Sequence, residues 1–167
     1  KEHLKKHIKK AKNKCKKSDA FLCAGSKLTQ SQTSTGVYKD VSVEVVSAAK
    51  KWIALSPTEF QAKKKGTYAI TYDITARVLG GPGGLMTTVV IDDQNNGNFL
   101  EVNALTSFVQ LGGLITSFSK TCIIDVEKDD VLKLQYAVQG TGVQLTGGAF
   151  GSLASSSSVK LTIHSVE

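Results

Sequence analysis

Short segments rich in β-branched residues recur along the chain from about residue 20 onwards, and residues typical of turns separate them. Apolar and polar residues alternate within several of these segments, and in residues 68–74 the even positions are Tyr, Ile, Tyr and Ile. A period of two places alternate side chains on opposite faces of a strand, so that one face can be buried. The predicted strands are 20–24, 37–46, 52–55, 67–78, 86–92, 99–103, 116–125, 131–139 and 159–165. This pattern predicts an all-β sandwich or jelly roll, and no segment after residue 20 has the spacing of an amphipathic helix.

The length and composition of the chain are those of one folded domain. A chain of 167 residues is too short for two domains of ordinary size, and its 41% hydrophobic content can supply a core. Extensive disorder is therefore excluded. No run approaches the roughly 18 consecutive apolar residues of a membrane-spanning helix, so no membrane span is expected.

Positive charge is concentrated at the beginning of the sequence. Residues 1–17 contain nine lysines and one glutamate, whereas the rest of the chain has twelve basic and thirteen acidic residues. We therefore divide the chain into a basic arm, residues 1–19, and a nearly neutral domain, residues 20–167. Such an arm attracts acidic partners or polyanions through charge. Arg77 is the only arginine, which argues against base-specific recognition of nucleic acid. The arm also lacks the apolar centre of a secretory signal.

A narrow apolar stripe runs along the basic arm. Leu4, Ile8, Ala11 and Cys15 are spaced by four, three and four residues, which places them on one helical face. Such a stripe cannot stabilise an isolated helix against the repulsion between lysines. Three interpretations remain: a solvated tail, a helix ordered by packing in an assembly, or a segment dedicated to binding a polyanion.

The three cysteines do not form a disulfide framework or a zinc motif. Cys15 lies among lysines, which favour its thiolate and hence cross-linking between subunits, although a free thiol without a role is an equal alternative. Cys122 lies in an apolar run and is predicted to be a buried small hydrophobic residue. Cys23 is assigned to the first strand of the domain.

One segment of the domain resembles a known family. Phe60 is followed after five residues by Gly66, and Tyr68 then opens an alternating strand. This arrangement resembles the central signature of complement C1q and tumour-necrosis-factor-like domains. Residues 20–24, 126–134 and 155–166 are similar to the opening strand, an acidic turn with its following strand, and the closing strand of that family. Asp129 occupies a position where the family usually has glycine.

The resemblance covers residues 20–167 and carries its own expectations. Residues 79–84, 111–116 and 140–151 are rich in Ala, Val, Gly and Thr. In this composition the domain is closest in character to the BclA-type heads and basal-layer proteins of the exosporium on Bacillus spores. It implies a C1q/TNF-like jelly roll that forms a homotrimer with a structural or display role at an extracellular, spore or particle surface. The collagen-like repeat of some members is replaced here by the basic arm.

No constellation of residues points to catalysis. The sequence lacks the HExxH, GxSxG, P-loop and CxxC motifs, and its three histidines are scattered. Residues 92–97 partly imitate a calcium loop, but Asn103 stands where the bidentate glutamate is required, which favours an ordinary hairpin turn. We therefore expect no enzyme activity, no cofactor and no metal.

Small apolar segments suggest self-association instead. They are uncharged and rich in glycine, as subunit interfaces often are, although the same side chains would equally fill the core of the sandwich. The candidate assembly residues, together with those of the arm, are Leu4, Ile8, Cys15, Val109, Leu111, Leu114, Ile115, Val143 and Leu145.

Two classes of function follow from these observations. The first is a non-enzymatic structural protein, a trimeric jelly roll that forms or decorates a surface layer or filament. The alternative is a small viral jelly-roll coat protein whose basic arm neutralises nucleic acid, since lysine also neutralises phosphate. A receptor ligand or lectin-like head is a third possibility, for which the sequence offers no defined pocket.

Overall fold

The computed structural model describes residues 21–47, 51–79, 81–93, 98–101, 107–111, 115–147 and 157–166. The basic arm, including Leu4, Ile8 and Cys15, lies outside these residues, and so does Leu114. The predicted division of the chain at residue 20 therefore stays a prediction.

The described residues form strands and contain no helix. In chain order the strands are β1 (Phe21–Ser26), β2 (Gln30–Ser31), β3 (Lys39–Asp40), β4 (Val45–Ser47), β5 (Trp52–Ser56), β6 (Glu59–Ala62), β7 (Gly66–Val78), β8 (Gly83–Asp93), β9 (Asn98–Glu101), β10 (Ser107–Leu111), β11 (Thr116–Val126), β12 (Val131–Gln139), β13 (Val143–Leu145) and β14 (Val159–Ser165). The described part of the chain contains no helix that is long and apolar enough to cross a membrane.

The strands pair into two sheets whose strand pairs are all antiparallel. Sheet 1 has the order β11-β7-β14-β1-β4, and β13 and β2 extend it beside the end of β7. Sheet 2 has the order β10-β8-β12-β6-β5, with β3 beside β12 and β9 beside β8. The longest ladder joins β7 to β11, from Gly66 opposite Val126 to Ala76 opposite Thr116. The predicted all-β sandwich is confirmed.

Every second side chain along the strands points inward, and the inward side chains of both sheets fill the space between them. On β7 the even residues from Tyr68 to Val78 are buried, whereas the odd residues are half-exposed on the outer face of sheet 1. The indole ring of Trp52 meets the ring of Tyr68 edge to face at a centroid distance of 5.2 Å. In the same core the hydroxyl groups of Tyr72 and Thr87 are hydrogen-bonded at 2.9 Å. The largest fully buried side chains are Trp52, Tyr68, Tyr72, Tyr136, Phe60, Leu22, Ile70, Ile74, Leu85, Leu111 and Leu132.

The structure corrects one strand prediction and adds strands that the sequence analysis did not predict. Residues 37–46 do not form one strand, since β3 and β4 are separated by residues 41–44. The side chains of Val41 and Val43 are nevertheless buried, and their amides donate to the carbonyl oxygens of Leu134 and Pro57. The sequence analysis also missed four short strands, β2, β6, β10 and β13, of which β10 and β13 lie in segments interpreted only as small and apolar.

Candidate assembly surface

The sandwich is open along the side formed by β10 and β11. These strands are edges of their sheets, because within the described residues β10 pairs with β8 alone and β11 with β7 alone. Among the residues whose burial the structure describes, the partly buried hydrophobic residues packed against the core all lie on these two strands. We call them the open edge: Val109, Phe118, Cys122 and Ile124. Their positions make this the place where the core of the domain reaches the surface.

The alternation of β11 explains why the open edge is apolar. Its even residues face the space between the sheets, as shown by Val126, which is buried, and by the ring of Phe118. That ring contacts Tyr72 edge to face at a centroid distance of 6.4 Å. The inward side chains of β11 before Val126 are only half-buried, so the opposite sheet does not cover them completely.

The outer face of sheet 1 beside this edge is lined by hydroxyl groups. Thr71 and Thr121 are hydrogen-bonded through their side chains at 2.8 Å, and Thr75 and Ser117 at 2.9 Å. We call these four residues the hydroxyl face. Because their hydroxyl groups are hydrogen-bonded to each other, a neighbouring chain that covers them leaves few polar groups without a hydrogen bond. Ile123 lies on the same outer face of β11 and is 59% exposed.

The structure separates the predicted assembly residues into three groups. Val109 belongs to the open edge, and Ile115 is exposed directly before β11. Leu111, Val143 and Leu145 are buried between the sheets, where they fill the core of a single chain, the second of the two interpretations given above. The remaining predicted residues lie outside the described part of the chain.

The residues of the family signature occupy one corner of the core. Phe60 and Tyr68 are buried, and Gly66 is the first residue of β7. A Cβ atom at Gly66 would lie 3.3 Å from Cε2 of the Tyr68 ring, so glycine leaves room for this ring. The Tyr68 hydroxyl donates to the carbonyl oxygen of Lys64 at 2.9 Å. The glycine thus permits close packing of the ring as the strand begins.

Sequence reasoning did not identify Phe118, Ile123 or Ile124 as surface-forming residues. The strand itself was predicted, and alternation within it separates Phe118 and Ile124 from Ile123. What the sequence could not give is that β11 is an edge strand. Cys122, predicted to be buried, is half-buried at the same edge for this reason.

Two concave surfaces lie elsewhere on the described residues. One, with a volume of about 300 Å³, lies on the outer face of sheet 2 and is lined mainly by apolar groups, including Met86, Phe108 and Ala137. The other, of about 370 Å³, is lined by Cys23 and by charged residues, including Lys27 and Lys160. Neither brings together the residues of a known catalytic motif.

The predicted hairpin after Asp92 agrees with the pairing of β8 and β9, in which Asp93 stands opposite Asn98. Residues 94–97 lie outside the described part. Within that part, no group of three or more His, Cys, Asp or Glu residues is arranged to hold a metal ion.

Burial shifts the titration of the tyrosines in the core. Desolvation raises the pKa of Tyr68, Tyr72 and Tyr136, because the phenolate form would lose its hydration. The hydrogen bond between Tyr72 and Thr87 opposes this effect by lowering the pKa of Tyr72. On sheet 2, the pKa of Lys133 is raised by its hydrogen bond to Glu59, whose carboxylate lies 2.8 Å from the ammonium group.

Comparison with solved structures shows the fold to be a TNF-like jelly roll, as predicted. The chain is similar to crystal structures of murine APRIL, a TNF-family protein, at pH 8.0, pH 8.5 and pH 5.0. The TM-scores are 0.60, 0.58 and 0.59, the sequence identities are 8%, 9% and 8%, and each alignment covers 88% of this chain and 98% of the other. No protein-family model matches the sequence, and neither does any curated protein.

Proposed function

We propose that this chain is a non-enzymatic structural protein that assembles into homotrimers and forms or decorates a surface layer. The observation that carries the proposal is the open edge, where Val109, Phe118, Cys122 and Ile124 bring the core to the surface. An apolar strip continuous with a hydrophobic core is a typical centre for a subunit contact.

The surface that receives this edge is the hydroxyl face of a neighbouring chain. It lies on the other side of β11, so each chain presents one surface of each kind. A contact between two different surfaces is heterologous, and repetition of such a contact closes a ring when the rotation permits. Assembly as a trimer is in keeping with the TNF-like fold, whose members form trimers.

The setting we propose is extracellular or on the surface of a particle such as a bacterial spore. Its support is the likeness of the glycine- and threonine-rich segments to exosporium proteins, together with the TNF-like fold. The basic arm would then dock onto neighbouring subunits or onto an acidic polymer of the layer, since its net charge is opposite to that of such partners.

Light scattering and sedimentation of the full chain test this proposal. We expect a particle of three times the chain mass of 17.8 kDa at micromolar concentration. Ile123→Glu places a charge on the outer face of β11 and should dissociate the particle. Leu28→Glu is the matched control. Leu28 is 61% exposed and Ile123 is 59% exposed, but Leu28 lies on the loop after β1. A stable wild-type monomer would contradict the proposal, and so would equal dissociation of both variants.

The basic arm favours the second candidate function, a viral coat protein. Nine lysines in the first seventeen residues can neutralise nucleic-acid phosphates without reading sequence. The two candidates differ in what accompanies the purified protein. Nucleic acid that co-purifies and is released at high salt favours the coat protein, whereas particles free of nucleic acid favour the surface layer.

A further inference from the structure

A lysine lies within the apolar open edge. Lys120 is on the inward side of β11, between Phe118 and Cys122, and its backbone stands opposite Tyr72 of β7. It is half-buried, and no hydrogen bond or ion pair links its side chain to another residue that the structure describes. A neighbour that covers the open edge would remove this ammonium group from water, which is unfavourable unless the neighbour supplies an opposite charge.

An acidic residue lies on the surface that would cover it. Where the side chains of sheet 1 are described, its strands contain two acidic residues, Asp73 and Asp125. Both side chains face outward. Asp125 accepts a hydrogen bond from the Thr67 hydroxyl at 2.7 Å. Asp73 stands among the hydroxyl face, next to Ser119 of β11, and has no ion pair within the described residues.

Lys120 and Asp73 cannot meet within one chain. The backbone of Ser119 stands opposite Asp73, and that of Lys120 stands opposite Tyr72, so the two charged side chains leave opposite faces of the same sheet. Lys160 of β14 stands opposite Asp73 on the outer face, yet no ion pair joins them. An exposed pair of this kind would in any case contribute little to stability.

We propose that the ammonium group of Lys120 binds the carboxylate of Asp73 from the next copy of this chain, and that this pair fixes a head-to-tail ring. The inference rests on the proposed function and specifies the chemistry of its interface. A two-fold dimer that joined two open edges would bring no carboxylate to Lys120, because the open edge contains no acidic residue. In a ring, each chain gives its lysine to one neighbour and its carboxylate to the other.

Charge reversal in the full chain tests the pair. Lys120→Asp and Asp73→Lys should each raise the dissociation constant of the assembly at least about thirtyfold, because each leaves a charge facing its like in a desolvated contact. The double variant restores opposite charges and should recover most of the affinity. Lys63→Asp is the control for net charge, since Lys63 is exposed in the turn before β7. The readouts are sedimentation velocity and, for folding, the fluorescence of Trp52.

The outcomes distinguish this inference from the proposed function. Trimers that persist in both single variants overturn the ion pair and leave the trimer intact. Weakened single variants without recovery in the double variant also overturn the pair. A wild-type monomer overturns both proposals.

A milder substitution covers the case in which Lys120→Asp does not fold. Asp73→Asn changes only the outer face, and we expect it to weaken assembly about tenfold and to remove most of its dependence on salt. If the salt dependence is the same as in the wild type, the pair is refuted.

Discussion

Replacing Gly142 with alanine should destabilise the domain more than the same replacement at Gly36. Both glycines have a backbone in the left-handed region, with φ of +76° and +74°. Adding a side chain in this conformation costs about 1–2 kcal/mol, of which about 0.4–1 kcal/mol is offset because alanine has less freedom than glycine in the unfolded chain. This contribution is shared by the two sites and amounts to roughly 0.5–1 kcal/mol.

The two sites differ in the space around the new Cβ atom. At Gly36 no heavy atom lies within 4 Å of it, whereas at Gly142 it would overlap the carbonyl oxygen of Leu79. The backbone cannot easily move away, because the amide of Leu79 donates to the carbonyl oxygen of Gly142 at 2.9 Å. Overpacking of this kind costs a further 1–3 kcal/mol or so, which together with the shared contribution gives about 1.5–4 kcal/mol for Gly142→Ala.

Urea unfolding followed by the fluorescence of Trp52 measures both values. This residue is the single tryptophan and is 2% exposed in the folded chain, so unfolding changes its environment strongly. The variants are compared at one protein concentration, since assembly contributes to apparent stability. Losses that agree within about 0.5 kcal/mol would refute the steric argument, because the two positions would then differ only in φ.

Three further predictions concern the tyrosines of the core. Tyr72→Phe should lower the free energy of unfolding by about 1–2 kcal/mol, because it leaves the buried hydroxyl group of Thr87 without its partner, as urea titration will show. Tyr136→Phe should be neutral or slightly stabilising in the same titration, because no residue that the structure describes forms a hydrogen bond with the buried Tyr136 hydroxyl, and a loss above about 1 kcal/mol would contradict this. The free energy of unfolding should also fall as the pH rises above about 10. The buried phenols, whose pKa is raised, keep their protons at this pH, whereas the tyrosines of the unfolded chain release theirs. Each of these tyrosines lowers the free energy of unfolding by up to about 1.4 kcal/mol per pH unit. Unfolding curves at about pH 8 and about pH 11 measure this slope, and equal stability at the two pH values would disprove the assignment.

The sequence predicted the long strands because their burial pattern is local. In β7 the alternation of Tyr68, Ile70 and Tyr72 with polar residues is visible without any knowledge of neighbouring strands. The short strands β10 and β13, of five and three residues, contain too few positions for a period of two to be distinguished. Leu111 and Leu145 are buried because of the strands that pack around them, which is a property of the topology.

The same distinction applies to the candidate assembly surface. Alternation placed Phe118 and Cys122 on one face of a predicted strand, but only the arrangement of the sheets makes β11 an edge and leaves that face half-covered. The inward position of Lys120 could not be predicted for the same reason. A lysine in an alternating strand is ordinarily assigned to the solvent side.

The turn before β12 gives an example in which the resemblance anticipated a conformation. Asp129 stands where the family usually has glycine, and its φ of 74° is the positive value that glycine adopts readily. Aspartate is one of the few other residues that tolerate this region. The backbone geometry of the turn thus matches what the family position predicts, although the side chain differs.

The position of β14 has a consequence for how the protein is made. Among the strands that the structure describes, β14 is the last to leave the ribosome, yet it lies in the middle of sheet 1, hydrogen-bonded to β7 on one side and to β1 on the other. Until it arrives, two strands synthesised long before it lack their common neighbour, and their apolar faces stay open to foreign chains. The sandwich can therefore close only after β14 has been synthesised, and shielding of the nascent polypeptide by chaperones should raise the yield of native protein.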